Sequence, residues 1–168
     1  MARDRLIINK RSLKLGDIPS LTLSKPENIS LLVTNHLMYW NEVYNFIFLV
    51  KPNLFKYCTS KEYNIVDQSY LDNMSYVAEA SKKFSKFLVF TSNFTLDFSD
   101  VPDNLSVVLV VKTFSKAPNI KLPLALTGIY ATNSIHCKKE DTCDTCKKCW
   151  NLKTLNKNVV FEDGIYGY

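Results

Sequence analysis

Glycine is scarce in this chain of 168 residues, with four copies, and histidine is scarcer, with two. Gly128, Gly164 and Gly167 stand apart from any phosphate-binding pattern and Gly16 lies near the start. No glycine-rich turn therefore exists to wrap backbone N–H groups around a phosphate. The patterns G-x-x-x-x-G-K-[ST], G-x-G-x-x-G, H-E-x-x-H and G-x-S-x-G are all missing. With only His36 and His136, hydrolytic triads and His-rich catalytic zinc sites are nearly excluded. Long apolar runs are missing too. "FIFLV" (46–50) and "LSVVLVV" (105–111) fall far short of the ~20 residues that cross a bilayer. The opening stretch "MARDRLIINKRSLKLG" is basic but broken by polar residues, unlike a signal peptide. Cytoplasm, where thiols stay reduced, is the expected location.

What remains is ordinary globular composition, 46% hydrophobic and 22% charged. The length suits one domain, able to bury on the order of 70% of its unfolded surface. Residues 1–28 are polar, Lys/Arg-rich and carry Pro19 and Pro26, and read as a basic arm. Residues 29–135 read as the body. Within it "ISLLVT" (29–34) is a strand candidate, "NHLMYWNEVYN" (35–45) a short helix, and "FIFLV" a buried strand closed by Lys51-Pro52. Residues 70–86 are expected to be a helix, with Leu71, Met74, Val77/Ala78, Ser81 and Phe84 on one face and Ser69 as N-cap. Lys82, Lys83 and Lys86 suit its C-terminus.

"FLVFT" (87–91) and "LSVVLVV" follow as apolar runs of strand length, with "ALTGIYAT" (125–132) as a weaker third. Continuous rather than alternating apolar strands fit a sheet covered on both faces. The expected class is α/β, a single domain with a largely parallel or mixed sheet. "NVVFE" near the end is an edge-strand candidate.

Residues 136–168 carry the strongest signal. "HCKKEDTCDTCKKCW" (136–150) holds Cys137, Cys143, Cys146 and Cys149 in the pattern C-x5-C-x2-C-x2-C. Two x2 steps in a turn-rich segment bring three sulfurs into one concave loop, and the five-residue lead lets Cys137 return as the fourth. Four thiolates at one point repel, and a cation at the centre makes the arrangement favourable. Zinc accepts four tetrahedral sulfurs, and an iron–sulfur cube also takes four cysteines at tight spacing. Zn2+ and a [4Fe–4S] cluster are balanced on this evidence.

The odd total of five cysteines and a reducing compartment argue against a disulfide knot. Reduced surface thiols are the plain alternative. A redox CxxC is weaker, because "CDTC" opens no helix after a strand in a βαβ context. His136 is a secondary candidate ligand, and Trp150 is read as packing over the site. Cys58 reads as a buried or incidental thiol and His36 as a packed side chain.

From about Tyr70 to Trp150 the pattern "FLVFTSNF", then "LSVVLVV", then "IHCKKEDTCDTCKKCW" resembles the phage-encoded gene product 88 family. Members usually carry an earlier "CxxxCY" group, where this chain has only Cys58. The resemblance implies a shortened or divergent member, a mobile-element origin, a host-cytoplasm setting and an α/β body, an incomplete barrel being one form of it, and it implies no reaction.

The charge of +5 falls by two, to +3, once four thiolates and a dipositive centre are included, so it argues only weakly for a polyanionic partner. The expected function is that of a metal-binding phage- or plasmid-type accessory protein acting on a macromolecule. "RDRLIINKRSLK" and "KKCWNLKTLNK" are its candidate contacts with nucleic acid or with a host or phage protein. The alternatives are an iron–sulfur protein with an electron-transfer or enzymatic role, and an inhibitor or accessory factor acting on a host enzyme. No membrane partner is expected, and no catalytic residue is nominated. Asp97, Asp100 and Asp103 could hold Mg2+, but turn and cap duties explain them more simply.

Overall fold

In the computed structural model, residues 7–10, 12, 14–22, 36–58, 66–111, 119–127, 133–138 and 140–161 are described. An eight-stranded sheet organises them. Its strands are β1 (Ile7–Asn9), β2 (Ser20–Thr22), β3 (Leu54–Cys58), β4 (Lys86–Thr91), β5 (Leu105–Val111), β6 (Leu124–Thr127), β7 (Ser134–Cys137) and β8 (Asn158–Phe161). The spatial order is β1-β2-β3-β4-β5-β6-β8-β7. Every pairing from β2 onward is parallel, and β1 alone runs antiparallel, against β2. The helices are α1 (His36–Val50), α2 (Gln68–Ala80) and the single turns α3 (Cys143–Cys146) and α4 (Leu152–Leu155). The α/β class with a largely parallel sheet therefore holds. The sheet is open, with β1 and β7 as its edges and no pairing between them among the described residues.

Strand alternation sorts the apolar side chains onto two faces. Leu21, Phe55, Tyr57, Phe87, Val89, Leu105, Val107 and Leu109 pack with Trp40, Val43 and Ile47 of α1 and Leu71, Met74 and Val77 of α2. Tyr57 stacks on Phe87 at a centroid separation of 5.6 Å. The opposite face holds Leu88, Phe90, Val108, Val110, Ala125, Val159 and Phe161, and Leu15, Ile18, Trp150 and Leu152 cover it. All seven residues of β5 are buried as a result. This is why that run shows no polar alternation.

β4 and β5 are parallel neighbours, in register Phe87↔Leu105 to Thr91↔Leu109. No helix lies between them. Phe94, Leu96, Phe98 and Val101 of the connecting loop pack on the first core instead.

Several expectations need correction. "FIFLV" is the last part of α1, not a strand: Trp40, Val43 and Ile47 form one buried stripe at helical spacing, and Leu49 is 83% exposed. A short apolar run cannot be told from a helix end by periodicity alone. The helix stops at Lys51, whose N–H still bonds Ile47 O and whose φ is +49°.

α2 starts earlier than expected, with Asp67 rather than Ser69 as N-cap: its Oδ1 accepts from Tyr70 N at 2.8 Å. It also ends earlier, at Ser81, whose Oγ donates to Val77 O at 2.7 Å. The arm expected over residues 1–28 contributes β1 and β2 to the sheet. β8, expected at an edge, lies between β6 and β7. β7 went unrecognised. "ISLLVT" lies outside the described residues.

Candidate metal centre

β7 and β8 are adjacent parallel strands, and the chain between them must cross from the end of one to the start of the other. Such a crossover is usually a helix. Here it is the cysteine segment, and its two helices are four residues each, too short to be stable alone. Its apolar anchors are Trp150 and Leu152, both buried against the second face of the sheet.

Cys137 ends β7 and is partly buried. Cys143 and Cys146 sit at the two ends of α3, three residues apart and so on neighbouring positions of one turn. Lys147 follows in the left-handed conformation, φ +56°, and its N–H bonds Cys143 O at 2.8 Å. That reversal carries Cys149 back toward the others in a 3-10 turn (Lys148–Asn151). Cys149 O accepts from Ser106 Oγ of β5 at 3.0 Å. Trp150 Nε1 donates to Phe55 O of β3 at 3.2 Å. These two bonds register the turn on the sheet.

The N-terminal turn clamps the other side. Cys143 N donates to Lys14 O at 2.8 Å, and Asp17 N donates to Asp144 Oδ2 at 3.2 Å. Lys14 Nζ donates to Lys138 O.

All four cysteines line one depression of about 20 Å³, together with Lys14 and Trp150. They are free thiols. Among the described residues no group of three or more His, Cys, Asp or Glu is already disposed to hold a metal ion, so the thiols are neighbours and not a closed cage.

Burial pushes the Cys149 thiol up to about 12, with Cys143 and Cys137 adding to the rise and Lys56 opposing it. Burial also raises Cys143, against the Lys56 and Lys14 ammonium groups and with help from Cys137 and Cys146. Cys137 is raised by burial as well, opposed by Lys14 and reinforced by Cys146 and Asp141. Burial thus favours the uncharged thiol at Cys137, Cys143 and Cys149.

His136 is exposed on β7 and lines the same depression as the four cysteines. Cys58 and His36 lie at the ends of β3 and α1, and their side chains are outside the described residues. The Ser99 hydroxyl, and then Ser99 N, which donates to Asp97 Oδ1 at 2.9 Å, hold the Asp97 carboxyl below the usual range. Asp103 pairs with Lys153 at 3.7 Å. Asp97 and Asp103 therefore have local partners.

Two residues escaped sequence reasoning. Lys56 is buried in β3 at 2% exposure, with Nζ 5.1 Å from the centroid of the Phe90 ring. Lys14 reaches the site from the N-terminal turn. A signal existed for Lys56 alone, as a charge inside the apolar run "LFKYC". Comparison with protein families, with curated proteins and with solved structures returned no match to this chain.

Proposed function

We propose that this is a metal-stabilised α/β binding protein in which Cys137, Cys143, Cys146 and Cys149 hold one dipositive ion, zinc in the first instance. The observation that carries the reading is the gathering of all four thiols around one depression in the β7–β8 crossover. The donor set fits: four sulfurs satisfy tetrahedral zinc and leave no open position, which is the structural and not the catalytic type. The crossover needs such a staple, because two single-turn helices supply little stability of their own.

With the ion bound, the crossover would present a rigid basic surface. Lys138, Lys147, Lys148, Lys153 and Lys157 are all exposed on it, and a polyanion such as nucleic acid is the partner they fit. The resemblance of residues 70–150 to the phage gene product 88 family would add a mobile-element origin and no reaction. No described helix is long and apolar enough to cross a membrane.

Elemental analysis of protein purified without oxygen tests the site. One zinc per chain is expected. Four irons with visible absorbance would replace zinc by a cluster, and neither metal would end the reading. For the partner, affinity for duplex DNA should fall steeply with salt, by about 0.9 decades per decade of salt for each phosphate contacted. An affinity that ignores salt removes the nucleic-acid version.

A further inference from the structure

We propose that the depression at the start of β6, β8 and β7 is a binding site for a sugar–phosphate group, held by Lys121, Lys153 and Lys157. These strands are parallel neighbours, so their first residues lie along one edge of the sheet. There Pro123, Asn133 and Asn158 meet α4 and the turn after it around a depression of about 340 Å³. That volume lies in the range of small-ligand sites, about 300–1,000 Å³. The inference rests on the basic surface assigned to the crossover and not on the metal. It goes further by naming a seat on that surface and the group it takes.

Charge gives the sign of the ligand. Three lysines line the depression and no Asp or Glu does. Elsewhere lysines and acids are mixed: Asp141 lies beside the lysines at the cysteines, and Asp17 and Asp144 lie beside Lys10 and Lys147. Lys121 and Lys157 have no ion pair among the described residues. Lys153 reaches Asp103 at 3.7 Å, but that carboxylate is fully exposed and such a pair contributes little. Three like charges in one concavity repel, and a multiply charged anion relieves the repulsion. Phosphate is such an anion, and an ammonium binds it as a compact point charge.

The other lining residues describe what carries the phosphate. Asn133, Asn156 and Asn158 supply amides, the groups that exchange hydrogen bonds with hydroxyls. No aromatic ring lines the depression, so a base has nothing to stack on. A phosphate on a sugar fits this set. The frame is also fixed in advance. Asn158 Oδ1 accepts from Leu124 N at 3.0 Å, and Asn133 Nδ2 donates to Asn156 O at 3.1 Å. Lys157 N donates to Leu152 O at 3.1 Å, which closes the turn that carries Lys153 and Lys157.

Sugar phosphate has two sources, a nucleic-acid backbone and a free phosphoester. The test titrates ribose 5-phosphate, ribose, a thymidine oligonucleotide and an abasic strand of equal length into the full-length protein. It is run in about 0.1 M salt, where charges more than about 10 Å apart are screened. Ribose 5-phosphate should bind saturably and ribose should not. Lys121→Gln and Lys157→Gln should each weaken it about tenfold, the cost of one charge-assisted hydrogen bond. Lys138→Gln removes the same charge outside the depression and should leave the affinity unchanged. All three lysines are exposed, so the variants keep the fold.

Displacement of both strands by ribose 5-phosphate, with equal affinity for the two, supports the site and names the backbone as its source. Strand affinities that ignore Lys121→Gln, beside a Lys121-dependent ribose 5-phosphate site, support the free phosphoester and count against the nucleic-acid reading alone. Wild-type protein without saturable ribose 5-phosphate binding overturns the proposal. So does an equal loss in Lys121→Gln and Lys138→Gln, which makes the attraction diffuse, or a strong preference for the thymidine strand over the abasic one. In these cases salt-sensitive strand binding would leave the nucleic-acid reading standing.

Discussion

The Cβ that Gly16 lacks would stand 1.9 Å from Oδ2 of Asp144. These residues are far apart in sequence, yet the N-terminal turn and α3 meet so closely that the Asp144 carboxylate fills the space where a side chain would begin. Gly16 also has φ +62°, a left-handed conformation that other residues resist. The contact locks the start of the chain onto the cysteine segment, because the same oxygen accepts from Asp17 N.

Gly16→Ala should therefore lower stability by about 1–2 kcal/mol from backbone strain alone, with more lost as Asp144 is displaced. Chemical denaturation of Gly16→Ala, Asp144→Ala and the double variant separates the two parts. The double variant should retain only the strain. A Gly16→Ala chain as stable as wild type would mean the turn does not clamp α3.

Cys146 is exposed, so its sulfur contributes little to packing. In metal-free protein Cys146→Ser should change stability by no more than about 0.5 kcal/mol, the usual range for surface substitutions. In zinc-loaded protein it should lower the melting temperature and the bound metal together. Melting curves with and without EDTA show whether the difference exists only in the loaded state.

The thiols set opposite pH dependences for the two states. Without metal, the folded chain holds the Cys149 proton more tightly than the unfolded chain does. That contribution is fully present below about pH 9 and is lost as pH climbs toward about 12. With metal bound, thiolate is the required form, and stability falls as protons compete at acidic pH. Melting series on chelated and zinc-loaded samples should slope in these opposite directions, and Cys149→Ala should flatten the alkaline limb of the chelated series.

Trp150 serves through both its ring and its N–H. Trp150→Phe removes the donor to Phe55 O and should cost about 1–3 kcal/mol. Trp150→Ala also empties the space over the sheet and should cost about 3–5 kcal/mol. Urea denaturation measures both. Equal stability of Trp150→Phe and wild type would show that the Phe55 bond contributes nothing.

Local chemistry left clear marks in the sequence. β4 and β5 were legible because a strand buried on both faces has no polar alternation, and Leu71, Met74, Val77 and Ala78 marked the buried stripe of α2. The last five residues of α1 were not legible, since Phe46 to Val50 look the same as strand or helix until the stripe from Trp40 is followed into them. Asp67 lost out to Ser69 because the two-residue difference in start depends on how Val66 enters the core. β7 was hidden by its own chemistry: a short strand with His136 exposed carries too few apolar residues to be noticed.

The sequence by itself determined that four cysteines lie within thirteen residues, and with that the kind of atom a centre could take, because thiol chemistry and spacing are local properties. Tertiary structure alone decided that this segment is the crossover between β7 and β8, that Lys14 and Lys56 flank it, and that Gly16 gives way to Asp144. Those facts depend on which strand pairs with which, and pairing is settled by burial summed over the whole sheet rather than by any one stretch of chain.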